Sequence, residues 1–545
     1  MYILGINGGF RPGYQDVSAC LIHNGKVVAA IEEERLNRVK YSGGKLPYRS
    51  VLEVLAIGNI SIQDVDFVAF HGSTWELEIE TKIHAYFINY FGFAPPLKRF
   101  HHHYCHAAGS FFSSGFDEAL VLTMDNSGDG VSIQLCVGSH QQLQLIKRYE
   151  RPLSFGVFYS LITQFCGFPK DRDEYKLMGL AAQGNKERFD FSWLLRFENG
   201  EVILDTDFIV KPLPKAPSLH ADEMNFNALF LEKMGNIRRI PSAPIGDYYK
   251  DVAASAQAQL EKVVLAFLAH YAAQTGQRKI CLSGGVALNC LMNQKIMNAD
   301  FVDEIFIQPS SSDAGISMGA AWLAGLEANI TPVAPTDTFL GNAFTDEAIK
   351  KVLIGCNVHF REVSDPAFEA AQSIAANKVI GWFQQRMEFG PRALGNRSIL
   401  ANPQHAEMQA IVNQKIKFRE SFRPFGASVL EEDAFQYFEG KSQKAPYMTL
   451  VYAVRPQARP LIPAVVHADN TCRIQTVNKK DNPLYFELLT HLKNRTGHGV
   501  VLNTSFNLAH EPIVNTPREA IASFMSSGMD ELFIGHYQVS KKHTI

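Results

Sequence analysis

One order of elements occurs twice in the first 150 residues, and it limits the folds open to this chain. Residues 2–7 read as an apolar strand that ends in a glycine turn, and residues 17–23 read as a second strand. Asn24-Gly25 supplies the two positive-φ residues of a tight hairpin into a third strand, Val27–Glu32. The succession returns as a strand at Ala119–Met124, a loop Asp125-Asn126-Ser127-Gly128-Asp129-Gly130, and strands at Val131–Val137 and Gln142–Arg148. The copies share little residue identity, so the repeated order itself predicts a duplicated half-domain.

Further along, Asp251–Thr275 carries apolar residues at helical spacing and stops at Gly276, before a short buried strand at Lys279–Leu282. Ser283-Gly284-Gly285 then turns into a helix, and a helix of small residues follows Asp313-Ala314-Gly315. Residues 330–337 have linker composition, which places a boundary near residue 340 and predicts two domains, 1–340 and 341–545. The second alternates helix and strand readings, with short strand-like runs around 447–455, 472–477 and 499–502. The expected fold class is α/β for the duplicated domain and α+β for the second.

A length of 545 residues with 46% hydrophobic and 20% charged residues is ordinary globular usage, and it excludes collagen-like or wholly disordered chains. The net charge of -3 offers no global field for nucleic acid or an anionic membrane, so neither is an expected partner. Eight cysteines stand without a Cys-x-x-Cys pair and read as reduced, buried thiols. The first residues lack a basic region and no apolar run approaches ~18 residues, so the expected compartment is the cytoplasm.

His102 and His106 stand four apart before small residues suited to a helix, so both imidazoles would leave one face, at metal-ligand spacing. A polar helix end would give the same pattern. Asp125 at a strand end and Asp313 in a glycine turn would complete a mixed nitrogen and oxygen site for iron, manganese or zinc. Gly284-Gly285 before a helix lets a phosphate approach the backbone, though such pairs also serve plain packing. Lys176, in Asp173-Glu-Tyr-Lys-Leu-Met-Gly179, would add a cation to that cleft or sit on a solvated helix start.

Between Gln384 and Phe425 seven Lys/Arg stand against three acids: Arg386, Arg392, Arg397, Lys415, Lys417, Arg419 and Arg423 against Glu388, Glu407 and Glu420. They alternate with apolar residues, which predicts a walled pocket for a small oxyanion rather than a solvated face or an RNA surface. Arg473 and the turn Asn503-Thr-Ser505-Phe-Asn507 are further candidates for it.

The stretches Arg386-Met-Glu-Phe-Gly-Pro-Arg-Ala-Leu-Gly-Asn-Arg-Ser398, Lys417-Phe-Arg-Glu-Ser-Phe-Arg-Pro-Phe425, Arg473-Ile-Gln-Thr-Val477 and Asn503-Thr-Ser-Phe-Asn507 resemble the carboxyl-terminal half of NodU/CmcH-type carbamoyltransferases. The amino-terminal half fits too, through Glu32-Glu-Glu-Arg35 with Lys40, His102-x-x-x-His106, Asp125, Lys176, Ser283–Asn289 and Asp313. The resemblance implies an ASKHA-like (actin/hexokinase-like) first domain that transfers a carbamoyl group, and a YrdC-like second domain that forms carbamoyl-adenylate. Carbamoyl phosphate, ATP with Mg and a small hydroxyl-bearing acceptor are the implied partners, and a homodimer stays open.

By the same resemblance Arg386, Arg392, Arg397, Lys417, Arg423, Arg473, Asn503 and Ser505 surround carbamoyl phosphate, with Lys417 and Arg423 acting in catalysis. Lys40, Asp125, Lys176, Gly284, Gly285 and Asn289 lie at the nucleotide, and His102, His106, Asp125 and Asp313 hold a metal for which iron is the family precedent. Two departures stand out. The family commonly reads His-Asp-x-Ser-Ala where this chain has Gln15-Asp16-Val-Ser-Ala, which takes a titratable histidine away from the catalytic pair Gln15 and Asp16. Gln385 also replaces a glycine before Arg386.

The expected activity is ATP-dependent O-carbamoyl transfer to a natural product or sugar. Transfer to an amine or to tRNA, and a nucleotide-binding sensor or partner protein that has lost transfer, are the alternatives.

Overall fold

The computed structural model describes residues 1–10, 16–74, 78–210, 224–235, 237–420 and 422–541. By packing, these fall into two compact units. One comprises Met1–Ala69, Lys82–Leu97 and Val333–Ile545, and the other Phe70–Thr81 and Lys98–Pro332.

The duplication is explicit in the sheets. Tyr2–Asn7 pairs antiparallel with Ser18–His23, and that strand with Lys26–Glu32; Phe67–His71 and Leu97–Phe100 complete the sheet on the far side of Tyr2–Asn7. In the second sheet Glu118–Gly128, Val131–Ser139 and Gln142–Glu150 form the antiparallel meander. Lys279–Ser283 and then Glu304–Ile307 extend the far side of Glu118–Gly128, both parallel. Numbered within each copy, both sheets run in the order 3-2-1-4-5.

Left-handed residues turn one hairpin in each copy, between the second and third strands of the first and between the first and second strands of the second. Asn24 and Gly25 have φ of 49° and 82°, and Asp129 and Gly130 have 53° and 81°. The second pair corrects one expectation. Asp125–Gly128 is not loop: the Glu118–Gly128 strand runs through it with an irregular register, because the Asp129-Gly130 pair already closes the hairpin.

The second unit is built around two helices that position the site. His102–Ser114 packs on Ile316–Glu327 closely enough that a Cβ on Gly319 would lie 1.8 Å from the Cys105 carbonyl oxygen, so a small residue is required there. Asp247–Thr275, 29 residues long, contains an 18-residue stretch of mean hydropathy 1.2, which the sequence reading of apolar runs passed over. Two-thirds of that stretch is buried, through Val252, Leu260, Val264 and Phe267 among others, as in a core helix.

In the first unit the carboxyl-terminal residues form a ten-stranded mixed sheet. Its middle strands are Ile380–Phe383, Arg397–Ala401, Val500–Ser505, Gly426–Leu430 and Thr471–Val477, with helices Pro366–Ala375 and Pro483–Thr496 covering Trp382, Leu400, Val501 and Phe533. The amino-terminal sheet is tied to this part by specific bonds. Arg386 donates to the carbonyls of Val28, Leu340 and Gly341, and Arg38 donates to those of Pro512 and Ile513. Glu32 Oε1 accepts from Gly390 N–H at 2.8 Å, and Arg35 donates to the Gly390 carbonyl.

Candidate functional site

Two groups of polar side chains stand out, one in each unit. In the second unit His102 and His106 leave the first two turns of the His102–Ser114 helix on one face, as their spacing predicts. Asp125 arrives from the strand and Asp313 from the short turn that precedes the Ile316–Glu327 helix. The four ligand atoms lie within 4.8 Å of one another. His106 Nε2 is 3.2 Å from Asp125 Oδ2 and 3.4 Å from Asp313 Oδ1, and His102 Nε2 stands 3.6 and 3.7 Å from the same oxygens.

Electrostatics follow from that packing. Burial alone would push the His106 imidazole down, but the bonds and charges of Asp125 and Asp313 outweigh it and raise it to about 9. Burial would raise Asp125, yet the two histidines hold its carboxyl well below the usual range. Burial and the neighbouring Asp125 charge push Asp313 up. The residues fit a divalent ion. Two imidazoles and two carboxylates are a borderline donor set, and His102 Nε2 is buried without a hydrogen-bond partner among the described residues.

The contacts by which several other residues support this cluster were not visible in the sequence. Ser283 Oγ lies 3.2 Å from His106 Nδ1, which turns the other ring nitrogen toward the carboxylates. Asp129 accepts from the His102 backbone N–H at 3.0 Å and from Thr74 Oγ1 at 2.9 Å, fixing the helix start. Asn126 donates its backbone N–H to Asp125 Oδ1 and its side-chain amide to Asp171. His103, between the two cluster histidines, is spent on Thr123 and the Val131 carbonyl inside the core.

The glycine turn meets this cluster. Gly284 takes φ of 89° against the Met124 backbone, and a Cβ at Gly285 would stand 3.3 Å from Asp125 Oδ1. Asn289 caps the Cys290–Asn298 helix and exchanges bonds with Gln257, which gives it a framework role. Lys176 pairs with Asp173 at 2.9 Å. Lys40 belongs to the other unit, where it is exposed beside the Tyr41 ring. Asp16 takes a left-handed φ of 54°, with its N–H on the Tyr41 carbonyl and its own carbonyl accepting from Asn7. Gln15 lies outside the described residues.

In the first unit the predicted cations separate into two kinds. Lys417 ends a π-helical turn, Asn413–Lys417, and is 4% exposed. Its Nζ reaches Asn507 Oδ1 at 2.7 Å, the Asn507 carbonyl at 3.0 Å, and both oxygens of Ser505. Burial pushes this ammonium well down, and the charges of Arg419, Arg423 and Lys40 push it further. Arg423 sits beside Glu420 at 3.8 Å, and Arg473 lies on a strand that pairs with Gly426–Leu430. Asn503, on the next strand over, donates to the Ala393 carbonyl, Ser428 and Gln475, while its Oδ1 is buried without a partner among the described residues. Arg392 is half-buried in the loop before Arg397–Ala401.

Arg397 and Arg386 are of the other kind. Arg397 is fully buried, stacks on Phe383 at 3.7 Å and donates to the carbonyls of Gln384, Gln385, Asn342 and Asn396. Arg386 likewise serves backbone carbonyls, so the structure uses both guanidinium groups to hold the 384–397 loop. Gln385 takes a left-handed φ of 45°, which explains the preference for glycine at that place.

Residues 90–322 match the family model for the carbamoyltransferase N-terminus, and residues 371–541 that for the carbamoyltransferase C-terminus. An uncharacterised protein of Synechocystis is 36% identical over 619 aligned positions, covering 99% of this chain and 97% of its own. Nodulation protein NolNO of Sinorhizobium fredii is 34% identical, covering 99% of this chain and 83% of its own. The 3'-hydroxymethylcephem-O-carbamoyltransferase of Amycolatopsis lactamdurans is 30% identical over 47% of each chain. With both halves of the family matched and relatives aligned nearly end to end, the chain belongs to the carbamoyltransferase family of enzymes.

Proposed function

We propose that this enzyme makes carbamoyl-adenylate from carbamoyl phosphate and ATP, and transfers the carbamoyl group to a hydroxyl of a small molecule, a natural product or sugar. The observation that carries the reading is Lys417, a buried ammonium met by neutral oxygens of Ser505 and Asn507 and neighboured by Arg419 and Arg423. Among the described residues no carboxylate forms an ion pair with this lysine, Glu511 acting on it only through its charge, and such a cationic pocket suits a small phosphate. The relatives support the acceptor side: one of them is named for carbamoylating the oxygen of a hydroxymethyl group.

In this reading Lys417, Arg423, Arg473, Asn503 and Ser505 hold carbamoyl phosphate. Water releases carbamate and inorganic phosphate, and a carbamate oxygen attacks the α-phosphorus of Mg-ATP, expelling pyrophosphate. Carbamate is a poor electrophile and its adenylate a reactive one, so an enclosed site is needed to spare the anhydride from water. The acceptor hydroxyl then attacks the carbonyl carbon, and AMP leaves.

His102, His106, Asp125 and Asp313 would hold a divalent ion, iron by family precedent with manganese or zinc as alternatives. When bound, such an ion supplies Lewis-acid polarisation of a phosphate or carbonyl oxygen. Gly284 lacks a side chain because it packs on the Met124 backbone, while Gly285, facing only Asp125 Oδ1, would be the one to let a nucleotide phosphate approach the backbone. The test is pyrophosphate release from ATP by the full chain with and without carbamoyl phosphate. Release that depends on carbamoyl phosphate supports the reading, and none under saturating ATP, Mg and carbamoyl phosphate overturns it.

A further inference from the structure

We propose that Asn507 is the positioning residue of the Lys417 pocket, and that its being a neutral amide is what lets the pocket take an anion. The inference rests on the phosphate reading of that pocket.

Asn507 Oδ1 accepts from two of the groups assigned to the substrate, Lys417 Nζ at 2.7 Å and Ser505 Oγ at 2.7 Å. Its Nδ2 donates to the Glu511 carbonyl at 2.6 Å, which settles the orientation of the amide and leaves the oxygen for the lysine and the hydroxyl. The Asn507 carbonyl adds a second contact to Nζ at 3.0 Å, and its own N–H returns to the Ser505 carbonyl. One residue therefore converges two donors from separate elements, the π-helical turn at Asn413–Lys417 and the end of the Val500–Ser505 strand.

The choice of side chain has an electrostatic consequence. An amide oxygen orients an ammonium without cancelling its charge. A carboxylate of the same shape would form a buried ion pair with Lys417, and an incoming phosphate would have to displace it. Arg419, Arg423 and Lys40 add positive charge around the same ammonium, opposed by the carboxylate of Glu511, whose effect is the smallest of the four. A neutral acceptor at position 507 keeps that field available to a ligand.

The test compares Asn507→Asp and Asn507→Ala in the full chain, reading inorganic phosphate binding by calorimetry and, separately, the KM for carbamoyl phosphate in pyrophosphate release. A positioning residue whose neutrality matters predicts that Asp is the worse variant, weakening phosphate at least tenfold relative to alanine, with KM rising and kcat changing less. A merely structural residue predicts the reverse order, since Asp keeps the shape and the acceptor. Asp binding phosphate as well as or better than Ala overturns the proposal. Phosphate affinities in the expected order without any carbamoyl-phosphate-dependent pyrophosphate release would overturn the functional reading and leave the role of Asn507 standing.

Discussion

His106 and Ser283 are 177 residues apart in sequence and meet at 3.2 Å, Nδ1 to Oγ, so that the other ring nitrogen faces Asp125 and Asp313. A ring nitrogen held from behind is an oriented ligand. Ser283→Ala should therefore leave the protein folded but weaken divalent metal binding about 10- to 100-fold. Competition with a chromogenic chelator measures this, and an unchanged affinity would remove Ser283 from the site.

Metal uptake should also depend on pH in one direction. The His106 nitrogen must lose its proton before it can ligate, and the flanking carboxylates hold that imidazole up to about 9. Below that value one proton is displaced per ion, so apparent affinity should rise about tenfold per pH unit and level off once His106 is neutral. Titrating chelator-stripped protein with manganese at several pH values reads the slope. A flat profile would mean that His106 already stands neutral.

The four cluster residues were legible because each rests on local chemistry: two histidines at helical spacing, one carboxylate at a strand end and one in a glycine turn. Ser283, Asp129 and Asn126 were not, since their roles exist only through contacts made by folding. The duplicated sheet was legible through its repeated hairpins, whose turns need residues that tolerate positive φ. The ten-stranded sheet was not. Its short strands pair across long separations, such as Ile380–Phe383 with Glu531–Ile534, and short apolar runs do not name their partners.

Gly128 and Gly130 are neighbours in the same hairpin and should respond differently to alanine. A Cβ at Gly128 would fall 2.1 Å from the His102 ring, while one at Gly130 would meet nothing within 4 Å. Gly130→Ala pays only for a left-handed φ of 81°, about 1–2 kcal/mol, and should keep metal affinity. Gly128→Ala must move the His102 ring, so it should lose metal binding beyond any loss of stability. Chelator competition and thermal unfolding on the two variants separate the effects, and equal metal affinities would refute the contact.

Arg397 and Arg423 gave the same signal in the sequence, cations among apolar residues in one stretch, and the structure gives them different surroundings. Arg397 is buried, with its donors on loop carbonyls and its plane on Phe383. Removing it strands carbonyls that water cannot reach, at about 1–3 kcal/mol for each one left unpaired. Lysine cannot replace it, because an ammonium offers neither the planar stack nor the spread of donors. Arg397→Lys should therefore lower the melting temperature by several degrees. Arg423 contributes charge at the Lys417 pocket and lies 3.8 Å from Glu420. Arg423→Ala should melt within a degree or two of wild type and lose carbamoyl-phosphate-dependent pyrophosphate release, as expected when a cation leaves a desolvated anion pair worth about 2–5 kcal/mol. Thermal unfolding and pyrophosphate release measured together decide the division of labour. An Arg397→Lys protein that melts like wild type but binds carbamoyl phosphate poorly would return Arg397 to the pocket.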